Sequence, residues 1–513
     1  MLTEQMCPYI TEFDQRVYRI VVPQDHYLVN AMQVIPWDEF IEPLAVYYSP
    51  DKGRPPYSPV FMLKLEYLRY HHNLSDREVI HRVETDLAFR YFLQLPLHWR
   101  LPEPSLLCQF RGRLGKNGFR QICDRVVRTA RELGFVKDRL RIKDATHVIG
   151  NLAVPTALAL VAQTRDKLLS AAELFAVEMV EGERVNLEML REATKSLAPT
   201  ERLATRLAQL REMLLWIDAV SEPTDTQVNR FWERFLTQRD LAHKILSDQE
   251  HPGAGDRTLS TTDPDVRCGK HGKWFDGYLM DTLVDADSEI ITQVNVLAAN
   301  GNEAADAVDL LRMEEAAHGN DVQAISIDGV GFRSPLLRQL QDPAGLNADT
   351  YVPTPQEQPS DEGLFGPRDF IEDTTQGTVT CPAGQTSSEH CYDKQKQALR
   401  YRFAATSCRQ CPLAERCMKK AAVRRGRTVI KSDYQAEHER ARKKTQTPEY
   451  HAVRREHPKV ERKLGEIMNR HGGRQARYRG QAKMLIQQLL ACMATNVKRM
   501  VRLACAPIEV AYD

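Results

Sequence analysis

The segment RLRIKDATHVIG, residues 139–150, alternates apolar and polar positions with the period of two that is typical of a β-strand. Leu140 and Ile142 share one face of that strand. Asp144 follows on the same face, where a further apolar residue is expected. The pattern therefore predicts a buried strand whose apolar face ends in a carboxylate.

A second group of strands is predicted further along the chain. The segment GYLMDTLVDADSEIITQVNVLAA has the pattern of a hairpin, with strands at 277–284 and 289–297 around a turn at 285–288. A helix follows at EAADAVDLLRMEEAAH, and the short strand in VQAISIDGVGF ends in Asp328. Because open α/β sheets place their sites at the carboxyl ends of strands, Asp144 and Asp328 can lie close together there.

The first 134 residues predict short helices with short breaks. Ser58 is placed as an N-cap with Pro59 at the first helical position, and Ser75 with Glu78 forms a capping box for the next helix. A third helix is predicted at PSLLCQFRGRLG. These helices fit a helix-turn-helix-like DNA-binding unit, and they fit a generic three-helix bundle equally well.

Helical patterns also cover residues 154–260 and the end of the chain. LREATKSLAPTERLATRLAQLREMLLWIDAV predicts two amphipathic helices around Pro199, with Thr200 capping the second, and we assign no chemistry to them. The stretch TPQEQPSDEGLFGP predicts a loop or linker. Two C-terminal helices are predicted at HPKVERKLGEIMNRH and AKMLIQQLLACMATNVKRMVRL.

The length and charge of the chain limit the number of domains and the kind of partner that are expected. A chain of 513 residues is too long for one simple core, and about three domains are expected. No apolar run approaches the roughly 20 residues that span a bilayer, and no secretory pattern opens the chain, so a cytoplasmic protein without membrane contact is expected. The net charge is +1, yet residues 419–502 carry 23 Lys+Arg against 7 Asp+Glu. That excess points to a polyanionic partner, the alternative being a basic helical region that is only solvated.

Carboxylates at two strand ends, with a third from a late helix, predict a divalent-metal site. Like charges within about 4–6 Å raise one another's pKa, and a bound metal ion removes that problem. Mg²⁺ prefers oxygen ligands, and two such ions about 3.5–4 Å apart serve phosphodiester displacement. The alternative for each Asp is the commoner role of a turn or cap residue.

A cluster of cysteines late in the chain predicts a second kind of metal site. A Cys-x2-Cys pair can bind one zinc ion, and two further thiolates would close a tetrahedral structural site. The four predicted zinc ligands are Cys381, Cys408, Cys411 and Cys417. His390 and Cys391 are alternative ligands, and the further alternative is a set of reduced thiols without metal.

Several motifs together resemble those of the DDE transposases of bacterial insertion sequences. YSPVFMLKLEYLRYHHNLSDREVIHRVETDLAFRYFLQLP and LPEPSLLCQFRGRLG are similar to the family's N-terminal domain, and IKDATHV is similar to its first-Asp strand. DPDVR and GYLMDTLVDADSEIITQVNVLAANGNEAADAVDLL resemble the segment between the first and second Asp. VERKLGEIMNRHGGRQARYRGQAKMLIQQLLACMATNVKRM resembles the C-terminal signature.

The resemblance implies an α/β fold with an RNase H-like mixed-sheet core that is interrupted by two inserts. The implied parts, in chain order, are a helical DNA-binding domain at 1–134, the first part of the core at 135–153 and 262–340, a helical insert at 154–261, a Cys-rich zinc-binding insert at 341–444, and the C-terminal helices of the core at 445–513.

The same resemblance implies that the catalytic acids are Asp144, Asp328 and Glu461. Glu456 and Glu466 are rivals for the third acid, and Asp285 is a rival for the second, although a turn role suits Asp285 better. The assignment rests on a match to the family's motifs, and that match does not exclude the rival acids.

Two positions depart from the family pattern. Phe332 stands where a Tyr commonly follows the second Asp, and Met468 stands where many relatives have a Lys. Arg470 is near enough in the sequence to replace that Lys in contacting phosphate.

In the implied mechanism, the three acids hold two Mg²⁺ or Mn²⁺ ions, water frees a 3′-hydroxyl at the transposon end, and that hydroxyl attacks target DNA. The implied partners are double-stranded DNA, as transposon ends and target, and a second copy of the chain. Arg111 and Arg113 are expected to be exposed on the third N-terminal helix. The basic residues predicted to contact DNA are Arg77, Arg82, Arg111, Arg113, Arg462, Lys463, Arg470, Arg477 and Arg479.

Two alternatives remain at the level of sequence. One is an RNase H-like nuclease that cleaves DNA without joining strands. The other is a decayed or regulatory DNA-binding protein that keeps a zinc module and lacks catalysis.

Overall fold

The structure, a computed structural model, describes residues 10–49, 56–224, 226–253, 255–355, 364–394, 397–418 and 425–505. The chain forms two compact units. The large unit comprises residues 1–137, 143–320 and 459–513, and the small unit comprises residues 138–142 and 321–458.

Helices open the large unit. Their bounds are α1 (Glu12–Val21), α2 (Tyr27–Val34), α3 (Ile41–Ala45), α4 (Pro59–His71), α5 (Asp76–Thr85), α6 (Leu87–Phe92) and α7 (Ser105–Glu132). Helix α4 starts at Pro59 as predicted, and Ser75 with Glu78 forms the predicted capping box at α5. Helix α7 extends far beyond its predicted motif and is broken at Gly115, whose φ of 59° lies in the left-handed region.

The helical region between the first two strands is confirmed. Its helices are α8 (Ala157–Ala172), α9 (Val177–Ala193), α10 (Pro199–Asp218), α11 (Thr226–Asn229) and α12 (Trp232–Glu250). They pack around a fully buried core that includes Leu168, Leu210 and Phe235. The predicted cap was wrong, because α10 begins at Pro199 and the Glu201 carboxylate accepts from Ala198 N at 3.2 Å.

The large unit contains β1 (Arg141–Ile149) from residue 143 onward, β2 (Arg267–His271), β3 (Lys273–Asp285), β4 (Ile291–Ala298) and α13 (Glu303–His318). The predicted hairpin is confirmed, since β3 and β4 pair antiparallel. Asp276 O accepts from Gly150 N at 2.8 Å, and Asp144 O accepts from Thr282 Oγ1 at 3.1 Å. These two contacts show that β1 and β3 run antiparallel, with Asp144 opposite Thr282.

The small unit begins with the first residues of β1. Its next elements are β5 (Ala324–Ser326), α14 (Ser334–Leu340) and β6 (Asp349–Tyr351). Arg141 and Ile142 pair in parallel with β5, and β6 pairs in parallel with the other edge of β5. The strand order is therefore β4-β3-β1 in the large unit and β1-β5-β6 in the small unit.

Two small antiparallel sheets follow in the small unit. The remaining elements of this unit are β7 (Ile371–Asp373), β8 (Thr378–Thr380), β9 (Thr386–Ser387), β10 (His390–Asp393), β11 (Ala398–Arg402), α15 (Ala405–Arg409), α16 (Ala414–Cys417), β12 (Thr428–Ser432), α17 (Gln435–Thr445) and α18 (Pro448–Glu456). Strands β7-β8-β9 form one sheet and β10-β11-β12 the other. Phe370, Tyr401 and Val429 are buried in a local core there.

The two predicted C-terminal helices are α19 (Pro458–Arg470) and α20 (Gln481–Ala504). Helix α20 is largely buried against α7, α4 and β4 of the large unit. Its Asn496 side chain accepts from Ile291 N and donates to Ile291 O, both at 2.8 Å, and so fixes the start of β4. In the part of the chain that the structure describes, no helix combines the length and apolar character needed to cross a membrane.

Candidate functional site

Asp144 lies half-buried on β1, within the large unit. Its Oδ1 accepts from the backbone N–H of Ala145 at 2.8 Å, and its backbone oxygen accepts from Thr282. The predicted carboxylate on a buried strand is therefore present, but the expectation that it ends the strand was wrong, because β1 continues beyond it to Ile149. One of its oxygens has a local backbone partner, and the strand beneath it is fixed to β3.

The residue before Asp144 forms a contact that the sequence pattern did not reveal. Lys143 Nζ lies 2.8 Å from Asp281 Oδ1 of β3, and both side chains are buried. Burial raises the pKa of the Asp281 carboxyl, while Lys143 and its hydrogen bond lower it. Alternation gave no signal for this contact, since the pattern placed Lys143 with Arg141 on the polar face of the predicted strand.

Glu461 lies exposed in the first turn of α19. Its rival Glu466 is half-buried, and its carboxylate lies 3.2 Å from Lys463 Nζ and 2.6 Å from Lys498 Nζ. The neighbouring His471, whose Nε2 lies 3.9 Å from Glu466 Oε1, is the largest cause that lowers the pKa of Glu466, and Lys498 adds to it. Glu466 therefore has the environment of a structural carboxylate, which leaves Glu461 more accessible to a ligand.

The other rivals also have structural partners. In the small unit, Glu456 receives two hydrogen bonds from Arg139, at 3.1 and 3.0 Å. In the large unit, buried Asp285 accepts from Ser288 N and Ser288 Oγ at 2.8 and 2.7 Å, which is the turn role expected for it. These contacts favour Glu461 and Asp328 over their rivals.

Asp328 lies two residues beyond β5 in the small unit, and its Oδ1 accepts from Val330 N at 3.1 Å. The strand end below it is held by α18. Arg454 donates to Ser326 Oγ and to Ile327 O at 3.1 and 3.0 Å, and His457 Nδ1 lies 3.1 Å from Ser326 Oγ. Burial lowers the pKa of His457 to about 4, so its imidazole is neutral at pH 7.

Phe332, which replaces the Tyr of the family pattern, also has a packing role in the small unit. Its ring stacks on His438 with centroids 4.8 Å apart, and the Arg442 guanidinium lies 5.9 Å from it. An apolar ring therefore suffices at this position for local packing.

The predicted carboxylates do not form a ready metal site. Among the residues that the structure describes, no three His, Cys, Asp or Glu side chains are grouped so that they could hold a metal ion. Asp144 and Glu461 are in the large unit and Asp328 is in the small unit.

The expectation that Arg111 is exposed was wrong. Arg111 is buried, with NH1 2.5 Å from Glu66 Oε1 and NH2 2.6 Å from Asp76 Oδ2. Arg69 pairs with the same two acids, at 3.1 Å from Glu66 and 2.7 Å from Asp76. Glu66 on the buried helix α4 thus fixes Arg111 inside the protein, where it cannot reach DNA.

Two other predicted DNA contacts are also directed into the protein. Lys463 is buried and pairs with Glu466 and Glu289, at 3.2 and 3.6 Å. Arg477 is half-buried and donates to Leu74 O at 2.9 Å and to the side chain of Asn73. Lys463 and Arg477 are therefore held by partners within the large unit.

Met468 is buried, so no DNA contact is made from the position where relatives carry Lys. The side chains of the remaining basic candidates are all exposed. These candidates are Arg77, Arg82, Arg113, Arg462, Arg470 and Arg479. Arg462 pairs with Glu289 at 3.2 Å, and the Arg113 guanidinium lies 4.4 Å from the Tyr48 ring.

The four predicted zinc cysteines lie together in the small unit. Cys381, Cys408, Cys411 and Cys417 line one cavity of about 30 Å³, although they are not grouped at metal-ligand spacing. Burial raises the pKa of the Cys417 thiol, Arg427 lowers it, and the other three thiols raise it further. The alternative ligand Cys391 is exposed and does not line this cavity.

Two family models match this chain. Residues 16–113 match the model described as a transposase domain (DUF772), and residues 380–501 match the model described as a transposase DDE domain. The chain is 28% identical over 173 residues to the "Uncharacterized protein ORF8 in nfe locus" of Rhizobium meliloti, a stretch that covers 33% of this chain and 82% of that protein. No solved structure matches the chain. Glu461 lies in the second matched segment, whereas Asp144 and Asp328 lie outside both.

Proposed function

We propose that this chain, a DDE transposase by the two transposase domains that it carries, binds the terminal inverted repeats of an insertion sequence and cleaves and transfers DNA strands there. Metal-dependent phosphodiester cleavage and transesterification follow from the DDE domain. The observation that carries the residue assignment is the position of Glu461, exposed in the first turn of α19 and inside the segment that matches the DDE domain.

We also propose that the catalytic core has an RNase H-like fold. The strand order β4-β3-β1 in one unit and β1-β5-β6 in the other supports it, together with the pairing directions of β1. β1 is antiparallel to β3 in the large unit and parallel to β5 in the small unit, and these are the pairing directions of the first strand of an RNase H-like sheet. The helical and Cys-rich segments are then inserts in that core.

Asp144, Asp328 and Glu461 are the carboxylates that we assign to the metal site. Carboxylate oxygens are the donors that Mg²⁺ and Mn²⁺ prefer. Two bound ions would supply activation of the attacking oxygen and stabilisation of the leaving oxygen. The chain orients the acids: Ala145 N binds one oxygen of Asp144, and Val330 N binds one oxygen of Asp328.

The exposed basic residues of the large unit are assigned to DNA backbone contacts. Arg77, Arg82 and Arg113 are on the N-terminal helices, which we assign to recognition of transposon ends. Three further exposed arginines lie on or near α19 and are assigned to the same backbone contacts. They are Arg462, Arg470 and Arg479. Joining two ends requires two copies, so we infer a homodimer on DNA, acting in the cytoplasm.

The Cys-rich segment is proposed to hold one structural Zn²⁺. Four cysteines line one small cavity, and the backbone N–H of Leu413 lies 3.4 Å from Cys411 Sγ, where it would stabilise a thiolate. Zinc binding would draw these sulfurs together and stabilise a segment of short strands that buries few residues.

The activity is tested with purified protein, Mg²⁺ and a labelled duplex of the repeat that ends its own element. We expect cleavage at the repeat end by the wild type, and a loss of at least a thousandfold in Asp144→Ala, Asp328→Ala and Glu461→Gln. Asp309→Asn on the exposed face of α13 is the matched control and should cleave normally. Binding without cleavage by the wild type would favour a regulatory DNA-binding protein, and cleavage without joining would favour a nuclease.

Zinc is tested by metal analysis of the protein as purified. We expect one Zn per chain in the wild type and in Cys391→Ser, and none in Cys408→Ser/Cys411→Ser. Equal zinc in all three proteins, or none in the wild type purified with zinc present, would contradict the assignment of this cavity.

A further inference from the structure

The hairpin of β2 and β3 in the large unit carries the one exposed tryptophan among the residues that the structure describes. Trp274 is 71% exposed, whereas Trp37, Trp99, Trp216 and Trp232 are buried or half-buried in the described structure. An exposed indole presents one of the largest apolar surfaces of any side chain together with a polar N–H, a combination that is enriched at interfaces. The tip of the hairpin therefore has a feature that neither packing nor the candidate acids explain.

The residues around Trp274 are cationic. Lys270 and Lys273 are exposed, and Lys270 Nζ lies 5.9 Å from the Trp274 ring. His271 pairs with Lys273 across the turn at Gly272, which has a φ of 70°. The tip from residue 270 to residue 274 thus contains two lysines, a histidine and a tryptophan, and it contains no acid.

The hairpin is held in place by its base. The His147 ring of β1 lies 5.1 Å from Phe275 and 5.5 Å from His271. On the other strand, a Cβ at Gly269 would come within 2.2 Å of Ala299 O, so the backbone after β4 packs directly on β2. A rigid base reduces the entropy that the tip would lose on binding a ligand.

We propose that the tip of the β2–β3 hairpin is a DNA contact of the transposase, in which Lys270 and Lys273 neutralise backbone phosphates and Trp274 stacks on an unpaired base. The proposal deepens the proposed function and rests on it. Two exposed lysines attract a polyanion, and aromatic stacking on bases is the usual partner of such charges where bases are unpaired. A protein partner would instead be expected to meet a mixed or apolar tip.

The position of the tip along the sheet limits where it meets the DNA. Thr282 of β3 contacts Asp144, and Trp274 lies eight residues earlier on the same strand. At about 3.3 Å per residue, the indole lies roughly 26 Å from the Asp144 strand position. At about 3.4 Å per nucleotide along one strand, the contact is expected within about eight nucleotides of the cleaved phosphate.

The test measures equilibrium binding of the full-length protein to a labelled repeat duplex without added divalent metal. A set of duplexes carries one mismatched base at successive positions within ten base pairs of the cleavage point. At one or two positions, the mismatch should strengthen wild-type binding, and Trp274→Ala should lose about five- to a hundredfold in affinity there. Trp274→Phe keeps an aromatic ring and should lose about threefold or less.

Charge is tested by the salt dependence of the same affinity. Lys270→Ala/Lys273→Ala should lower the slope of log affinity against log salt by about 2, since each lysine that neutralises a phosphate contributes about 0.9. Arg191→Ala/Lys195→Ala, which removes two exposed cations of the helical insert, is the matched control and should leave the slope and affinity unchanged. DNA should also shield the wild-type fluorescence from acrylamide, and this shielding should be absent in Trp274→Phe.

Equal affinity of wild type and Trp274→Ala for every mismatched duplex would overturn the proposal. So would dissociation of a dimer by Trp274→Ala without a change in affinity per chain, since the tip would then be a contact between copies. Because no cleavage is measured, these results are separate from the proposed catalysis.

Discussion

Lys143 and Asp281 form an ion pair inside the large unit, with Lys143 Nζ 2.8 Å from Asp281 Oδ1 and side chains only 2% and 0% exposed. Lys143 immediately precedes Asp144, so its side chain points to the opposite face of β1. The pair therefore joins β1 to β3 on the face opposite the candidate acid. Because Asp281 neutralises Lys143, the lysine can be buried in β1.

Removing one partner of this pair should destabilise the protein more than removing both. Lys143→Met leaves the Asp281 carboxyl buried without its cation, and we expect a loss of about 3–5 kcal/mol in the free energy of unfolding. Lys143→Met/Asp281→Leu should recover more than half of that loss. Urea unfolding of the three proteins measures this, and a loss below about 1 kcal/mol in Lys143→Met would contradict the structural role.

Arg111 and Arg113 should separate stability from DNA binding. Arg111→Ala leaves Glu66 and Asp76 short of a buried cation, so we expect a loss of about 3 kcal/mol in stability. Arg113→Ala should change stability by about 0.5 kcal/mol, because only a contact with Tyr48 is lost. In a binding titration, Arg113→Ala should lower the salt slope by about 1. The reverse result would restore Arg111 as a DNA contact.

Glu461→Gln and Glu466→Gln should have opposite effects on activity and stability. Glu461 is exposed, so its change should abolish cleavage and leave the unfolding midpoint within about a degree. Glu466→Gln should keep cleavage and cost about 2 kcal/mol at pH 7, because Lys463 and Lys498 lose their carboxylate. The pKa of Glu466 is lowered in the fold, so this stability is present above about pH 4.5 and is lost as the pH falls. A constant difference between wild type and Glu466→Gln from pH 7 to pH 3 would refute the assignment.

His457 should make the small unit sensitive to mild acid. Burial lowers the pKa of His457 from 6.5 to about 4 in the fold. Between these two pH values the unfolded chain binds a proton at His457 that the folded protein does not bind. Stability should therefore fall between pH 6.5 and 4, by up to about 3 kcal/mol. His457→Gln should flatten this part of the pH profile, and the exposed control His81→Gln should not. Identical profiles for wild type and His457→Gln would show that another group titrates.

Gly277 should be intolerant of any side chain. A Cβ there would come within 2.0 Å of Val148 O and 2.8 Å of Gly150 N, so β3 could not keep its place beside β1. We expect Gly277→Ala to cost about 3 kcal/mol or more and to lower cleavage, since Asp144 is on the displaced strand. Gly182→Ala in α9 meets open space and should stabilise the protein by about 0.5–1 kcal/mol. Thermal unfolding of both variants tests the contrast.

Much of the local structure was determined by the sequence alone. The alternation of residues 139–150, the capping box at Ser75 and the hairpin around Asp285 each predicted the element that the structure contains. The reason is that strand period, capping hydrogen bonds and turn preferences act between residues close together in the chain. Short spacing likewise placed Cys408, Cys411 and Cys417 near one another, whereas only the fold brings Cys381 to the same cavity.

Tertiary structure decided which charged residues are exposed for contact with a ligand and which are paired inside the protein. Arg111, Lys463 and Arg477 look like other surface cations in the sequence, and they are committed to Glu66, Glu289 and Asn73 in the fold. Glu461 and Glu466 differ by five positions on one helix, and only packing against Lys498 and His471 separates them. A charge is buried or free according to partners that lie far away along the chain, and the spacing of residues in a sequence carries no information about those partners.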